Sequence, residues 1–226
     1  MPGTVNLDEL SAWFLEAAPT LHADERIVAE TLHELLLEGE PVAPERLAEA
    51  SGRDGCLVES FLGRWAMRDE QGRIFAFLGL TLRETRHRLT VEGRDLHAWC
   101  AWDTLFLPGL LGRTVEIASR CPETGDSIHL RVSPSKILES EPSGIVVSFI
   151  TPSDLSCNPE GCGETATVVA ERSISRFCDF VHFLASRSAG QTWIANNPGT
   201  FLLTLEEAFD LGRRTNEGLL APRTAI

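Results

Sequence analysis

No apolar run in the 226 residues approaches the roughly 20 that a helical bilayer span needs. Met1 leads into an acidic, amphipathic segment instead of an export signal. The expectation is a soluble, cytoplasmic protein with no membrane partner. Positive charge is also scarce: 20 Lys and Arg stand against 33 Asp and Glu, a net charge of −13. Such a field repels phosphate backbones, so no nucleic acid partner is expected. Several motifs are missing as well. There is no glycine-rich phosphate loop, no G-x-S-x-G elbow and no H-E-x-x-H helix. The 6 histidines are scattered, which argues against a histidine-based metal centre. Internal repeats are absent.

What remains is an ordinary globular composition, 43% hydrophobic and 23% charged, which excludes global disorder. The length suits one large domain or a small domain attached to a larger one. Residues 6–17 and 24–38 read as amphipathic helices, the second through Ile27, Leu32, Leu35 and Leu36. Pro44 opens a short helix to Ala50, Ser51–Gly55 breaks it, and Leu57, Phe61, Leu62 and Trp65 mark another. The turn Asp69-Glu70-Gln71-Gly72 follows, with strand-like segments at 73–80 and 86–92. Helix, short helix, turn, helix and hairpin outline a winged-helix-like module. DNA binding and a packing or lid role both fit that outline. The recognition helix, residues 56–66, carries Glu59 and only Arg64 as a base, which favours the lid.

Beyond residue 80, Asp95 is placed to cap a helix from Leu96 to Phe106 that Pro108-Gly109 ends. Strands are expected at Thr114–Ser119, at Ser127–Ser133 with alternating Ile128, Leu130 and Val132, and at Ile145–Ile150. Residues 151–172 read as a long loop and Phe177–Leu184 as a strand. Ser186 caps a helix ended by Asn196-Asn197-Pro198-Gly199, and Thr204-Leu205-Glu206-Glu207 is a capping box opening a last helix toward Asn216. The expected fold is α+β: a winged-helix-like helical module, residues 1–80, packed on a mixed α/β core with antiparallel strands, residues 81–226.

Cysteines stand at 56, 100, 121, 157, 162 and 178. Their irregular spacing in a chain of this size favours reduced thiols over a disulfide framework. On the expected helix, Cys100 and Asp103 share a face with Leu96, Trp99, Phe106 and Leu107. A carboxyl in an apolar stripe is costly to bury unless paired or protonated, which suits an acid–base group beside a thiol. A cysteine packed as a small hydrophobe, with the aspartate turned to solvent, fits the same spacing. Alternation on the expected strand puts Cys178, Phe180 and His182 on one face, where a core cysteine is again the plainer reading. Cys121 precedes the turn Pro122-Glu123-Thr124-Gly125 and reads as packing at a hairpin end. Cys157 and Cys162 flank Asn158-Pro159-Glu160-Gly161 in the long loop. They lack the two further ligands of a structural zinc site and are expected to be accessory.

Taken together, Gly79-Leu80-Thr81-Leu82-Arg83-Glu84-Thr85, Ala98-Trp99-Cys100-Ala101-x-Asp103-Thr104-Leu105 and Gly112-Arg113-Thr114 resemble the organomercurial (alkylmercury) lyase family. So do Val132-Ser133-Pro134-Ser135, Phe177-Cys178, His182-Phe183-x-Ala185-Ser186 and Glu207-Ala208-Phe209-x-Leu211-Gly212. The resemblance implies a winged-helix-like module on an α+β core and a site of Cys100, Asp103 and Cys178. Two thiolates would capture an organomercurial and load electron density onto its carbon, since thiolate is the soft ligand that mercury prefers. Asp103 would carry the proton. Hydrocarbon leaves, and Hg(II) stays on Cys100, Cys178 and Asp103 until external thiols remove it, with a mercuric reductase as a fitting recipient. No organic cofactor or resident metal is implied. The sequence departs from relatives at His97, where some have tyrosine (a residue this chain lacks), and at Asp179, where some have a further cysteine. The alternative is a thiol-based mercury or metal sensor, regulator or store without turnover, which would have no need of a buried proton donor.

Overall fold

The computed structural model describes residues 6–17, 21–150 and 177–220. Four helices open the chain: α1 (Leu7–Ala17), α2 (Ala23–Leu36), α3 (Pro44–Ser51) and α4 (Gly55–Trp65). On α2 the buried stripe is Val28, Ala29, Leu32, Leu35 and Leu36, whereas Ile27, expected in it, faces solvent. Leu32, Leu35 and Leu36 belong to both stripes, and Ile27 alone lies about 100° of helical rotation away from its buried neighbour Val28. Pro44 supplies the fixed φ that suits a first turn, and Gly52, at φ 61°, ends α3 in the left-handed region.

An antiparallel sheet follows, in the order β1-β2-β3-β5-β4-β6-β7-β8. Its strands are β1 (Ala66–Arg68), β2 (Ile74–Phe77), β3 (Leu80–Thr81), β4 (His87–Val91), β5 (Arg94–Ala98), β6 (Val115–Arg120), β7 (Ser127–Val132) and β8 (Ile137–Glu141). Alternation drives β6 and β7: Val115 and Ile117 on one strand, and Ile128, Leu130 and Val132 on the other, point into the core. A second sheet, β10-β9-β11, joins β9 (Val146–Ile150), β10 (Phe183–Leu184) and β11 (Thr200–Thr204). Helices α5 (Asp103–Leu111) and α6 (Arg187–Asn196) connect strands, and α7 (Leu205–Leu220) follows the last of them. Buried side chains from α1 to α7 form one continuous core. The capping box is made as expected: the Glu207 carboxylate accepts the Thr204 N–H at 2.8 Å, and Thr204 Oγ accepts the Glu207 N–H at 3.2 Å.

Two expected elements change type. Residues 96–106 are not one helix. Leu96 and Ala98 alternate inward on β5, paired to β4 and β3, and the helix begins only at Asp103. A three-residue spacing of apolar side chains at a strand-to-helix junction imitates helical periodicity. Pro108 lies inside α5, which runs on to Gly112 at φ 64°. Residues 177–184 are not a single strand either. Phe177 and Cys178 are helical, a turn follows, and only Phe183–Leu184 pairs with β9. Short apolar runs do not distinguish helix from strand by pattern alone. Strands β8 and β11 carried no signal that was read; β8 is an exposed, acidic edge without alternation.

Candidate active site

Cys100 sits in the tight connection between β5 and α5. Leu80 pairs with Ala98, the Trp99 N–H donates to the Gly79 carbonyl at 3.0 Å, and the chain then turns through Cys100–Trp102 into α5. Asp103 is the first residue of that helix. Its carboxylate reaches back to accept the Cys100 N–H at 2.7 Å, and the Thr104 hydroxyl donates to the Ala101 carbonyl at 2.7 Å. The Cys100 and Asp103 side chains thus meet through a turn, and no helical face is needed.

Cys178 arrives from the other side. The Val181 N–H donates to the Cys178 carbonyl at 3.3 Å, and the Phe180 N–H to that of Phe177 at 3.0 Å. One bond stitches the two cysteine-bearing segments together: the Ala101 N–H donates to the Val181 carbonyl at 3.2 Å. On β9, the fully buried Ser148 donates its hydroxyl to the Phe180 carbonyl at 2.7 Å and accepts the His182 N–H at 3.0 Å. The sulfurs of Cys100 and Cys178 and an oxygen of Asp103 come to lie within 4.8 Å of one another. Cys100 is fully buried, Asp103 buried and Cys178 half-buried. Cys178 is therefore the less buried of the two cysteines.

The surroundings are apolar and aromatic. Trp102 lies against Phe14 of α1, with ring centroids 4.4 Å apart, and its indole N–H donates to the Ala208 carbonyl on α7 at 3.1 Å. Phe177 meets Phe14 at 5.3 Å and Trp102 at 6.1 Å. Burial pushes the Asp103 carboxyl up from 3.8 to about 6, although hydrogen bonds from Cys100 favour its charged form. Burial also drives the Cys100 thiol well above its ordinary value, helped by its hydrogen bond to Cys178 and by the nearby Asp103 charge. Cys178 gains from the Cys100 hydrogen bond, which favours its thiolate. Burial and the charges of Asp103 and Asp179 outweigh that bond and leave the thiol raised. A buried carboxyl titrating near neutrality beside two protonated thiols can accept a proton from one and pass it on. The two sulfurs suit a soft cation.

Among the described residues, the two remaining cysteines stay outside this cluster. Cys56 is exposed at the start of α4. Cys121 is buried at the end of β6. Burial raises its thiol, yet hydrogen bonds from the Thr124 side chain and from the backbone of Ala185, Thr124 and Glu123 prevail and lower it. Cys157 and Cys162 lie outside the described residues. His97 on β5 accepts the Thr85 N–H at 3.2 Å, and Asp179 is exposed beside Cys178. Gly79 and Ser148 were not anticipated as site residues. Gly79 had a visible signal, its place in the Gly79–Thr85 motif; Ser148, inside an apolar strand, had none.

A family model described as alkylmercury lyase matches residues 80–217. The chain is similar to the alkylmercury lyase of Staphylococcus epidermidis, 40% identical over 214 residues, covering 92% of this chain and 90% of that protein. It is also similar to the alkylmercury lyase of Bacillus cereus, at 42% identity over 80% of this chain and 77% of the relative. That of Pseudomonas putida is 40% identical over 84% and 83%, respectively. A crystal structure of the mercury-bound form of MerB2 shares the fold, with a TM-score of 0.71 and 24% identity over 94% of this chain and 98% of that one.

Proposed function

The chain belongs to the alkylmercury lyase family, and from that premise we propose that it cleaves carbon–mercury bonds by protonolysis at Cys100, Cys178 and Asp103. The observation that carries the assignment is the convergence of two thiols and one buried carboxyl within 4.8 Å.

Cys178, the less buried of the two cysteines, takes R–Hg⁺ from an external thiolate by exchange, and its proton leaves with the displaced thiol. Cys100 then bonds to mercury as its proton passes to the Asp103 carboxylate. Two thiolates on mercury push electron density onto the attached carbon. Asp103 returns the proton to that carbon. The C–Hg pair becomes the C–H bond, R–H departs, and Hg(II) remains on the two sulfurs. Because Asp103 starts each cycle as a base, cleavage falls as pH drops below about 6. The apolar walls of Trp102, Phe14 and Phe177 exclude water and strengthen each electrostatic step. External thiols take the Hg(II), with a mercuric reductase as a fitting acceptor. A sensor or store without turnover is the weaker reading, since neither requires a titrating carboxyl beside its thiols.

The finer architecture belongs to the same proposal. Helices α2, α3 and α4 followed by the β1–β2 hairpin support a winged-helix-like module within residues 1–80, packed as a cover on a catalytic core, residues 81–226.

Pure protein incubated with phenylmercury and excess free thiol is expected to release benzene over many turnovers. Cys100→Ser and Cys178→Ser should each abolish that release with an unchanged circular dichroism spectrum. Benzene at near wild-type rate from either variant would overturn the two-thiol mechanism. Stoichiometric mercury capture without benzene from the unaltered protein would restore the sensor or store.

A further inference from the structure

Asp103 has a neighbour with no side chain. Gly79 lies at φ 87°, and a Cβ built there would stand 2.8 Å from Asp103 Oδ1 and 3.0 Å from its Cβ and Cγ. Contacts that close essentially do not occur, so a methyl group at 79 has to displace something. The backbone of Gly79 has little room to give. Residues 78–79 form a two-residue turn between β2 and β3, with Phe77 paired to Leu80, and the Gly79 carbonyl is held by the Trp99 N–H at 3.0 Å. What must move is the Asp103 side chain, its carboxyl included.

The turn itself is a tight hairpin connection. Both central residues have positive φ, Leu78 at 40° and Gly79 at 87°, the pattern of a type I′ hairpin that favours Asn-Gly. The chain contains a matched turn elsewhere. Glu92 at φ 50° and Gly93 at φ 82° close the β4–β5 hairpin, between the paired residues Val91 and Arg94, and nothing lies within 4 Å of a Cβ on Gly93. Equal backbone demands thus meet a carboxyl in one turn and open space in the other.

We infer that the Leu78–Gly79 turn is a positioning device for Asp103. It clamps the carboxyl between the Gly79 backbone and the Cys100 N–H, in reach of both thiols, and so sets the proton transfers that break the carbon–mercury bond. This inference rests on the reading of Asp103 as the proton carrier. Gly79 offers mercury no soft ligand, so the thiols' capture step should not depend on it.

The test compares Gly79→Ala and Gly79→Asn with Gly93→Ala in phenylmercury cleavage. Asparagine tolerates positive φ better than alanine while still carrying a Cβ. Both Gly79 variants should bind phenylmercury stoichiometrically with KM within about twofold of wild type, and lose about 10–100-fold in kcat, the scale of an ångström-level misplacement. Gly93→Ala should keep kcat within about twofold, because it meets the same φ demand without the contact. In an Asp103→Ala background, Gly79→Ala should cost nothing further, since residues acting through one another are not additive. Wild-type kcat in a folded Gly79 variant would overturn the inference. So would an additive loss in the Asp103→Ala background, or joint loss of capture and cleavage. If both Gly79 variants fail to fold while Gly93→Ala folds, the glycine is structural and the inference falls. Wild-type turnover by Asp103→Ala alone would sink the proton-carrier reading itself, a result distinguishable from any of these.

Discussion

Asp103 is 6% exposed, and burial raises its carboxyl pKa to about 6 from the ordinary 3.8. The folded chain therefore binds this proton more tightly than the unfolded chain does. Its contribution to stability is fully present below the unfolded value, declines as pH rises through the folded one, and is gone at neutral pH. The burden of burying the charge there is on the order of 3 kcal/mol. Asp103→Asn keeps the shape, and its carbonyl can still accept the Cys100 N–H, without the charge. The variant is expected to be up to about 3 kcal/mol more stable than wild type at about pH 8, with most of that gain absent at about pH 4. Cleavage should drop by about 10²-fold or more, the scale of a lost acid–base group. Urea unfolding at the two pH values, alongside benzene release, checks both; a variant less stable at the higher pH would show that burial does not burden this carboxyl. The pairing of Cys100 with Asp103 was legible from their three-residue spacing, though the contact runs through the backbone of a turn. The approach of Gly79 was not legible, because a glycine announces an open backbone and not the side chain that fills the space.

Among the elements, those with one clean period were readable: the alternating β6 and β7, the capped α6 and α7, and α3 between its proline and glycine. Those that carry the site were less so. Cys100 lies where a strand becomes a helix and Cys178 where a helix becomes a turn, and junctions hold no period long enough to read. The second junction depends on β9. Ser148 donates to the Phe180 carbonyl and accepts the His182 N–H, while its own N–H donates to the His182 carbonyl at 3.0 Å. Ser148→Ala strips two backbone groups of buried partners, at a cost of about 2–4 kcal/mol by the price of an unsatisfied buried group. The freed segment is the one that follows Cys178, so capture of organomercurial should slow as well. Denaturant midpoints and stopped-flow capture rates together test this. A midpoint unchanged from wild type would mean that water replaces the hydroxyl and that Ser148 does not hold the Cys178 turn.

At the scale of the whole molecule, the family match begins at residue 80, which suggests cutting the chain there. The packing argues that such a cut fails. Strand β3 pairs with β2 on one side and β5 on the other within one sheet, so removing residues 1–80 takes β1, β2 and half of β3 from its edge. Phe14 of α1 covers Trp102 and Phe177, the neighbours of both site cysteines. Ion pairs tie Glu34 to Arg113 and Asp8 to Arg214 across the same boundary, but both are largely exposed and weigh little. The apolar loss decides the matter. Uncovering a large buried side chain costs about 1.5–3 kcal/mol, and a domain's entire stability is roughly 5–15 kcal/mol. Exposing Trp102, Phe177 and the inward residues of β5 would consume most of that margin. Gly79 would be lost as well, and with it the clamp on Asp103. A fragment of residues 81–226 is therefore expected to show no cooperative thermal transition and no benzene release, although Cys100, Asp103 and Cys178 are all present in it. Adding residues 1–80 as a separate chain should restore part of both if the two pieces meet along β2 and β3. A fragment that melts cooperatively and turns over alone would establish residues 81–226 as an autonomous catalytic domain and reduce the N-terminal helices to an accessory cover.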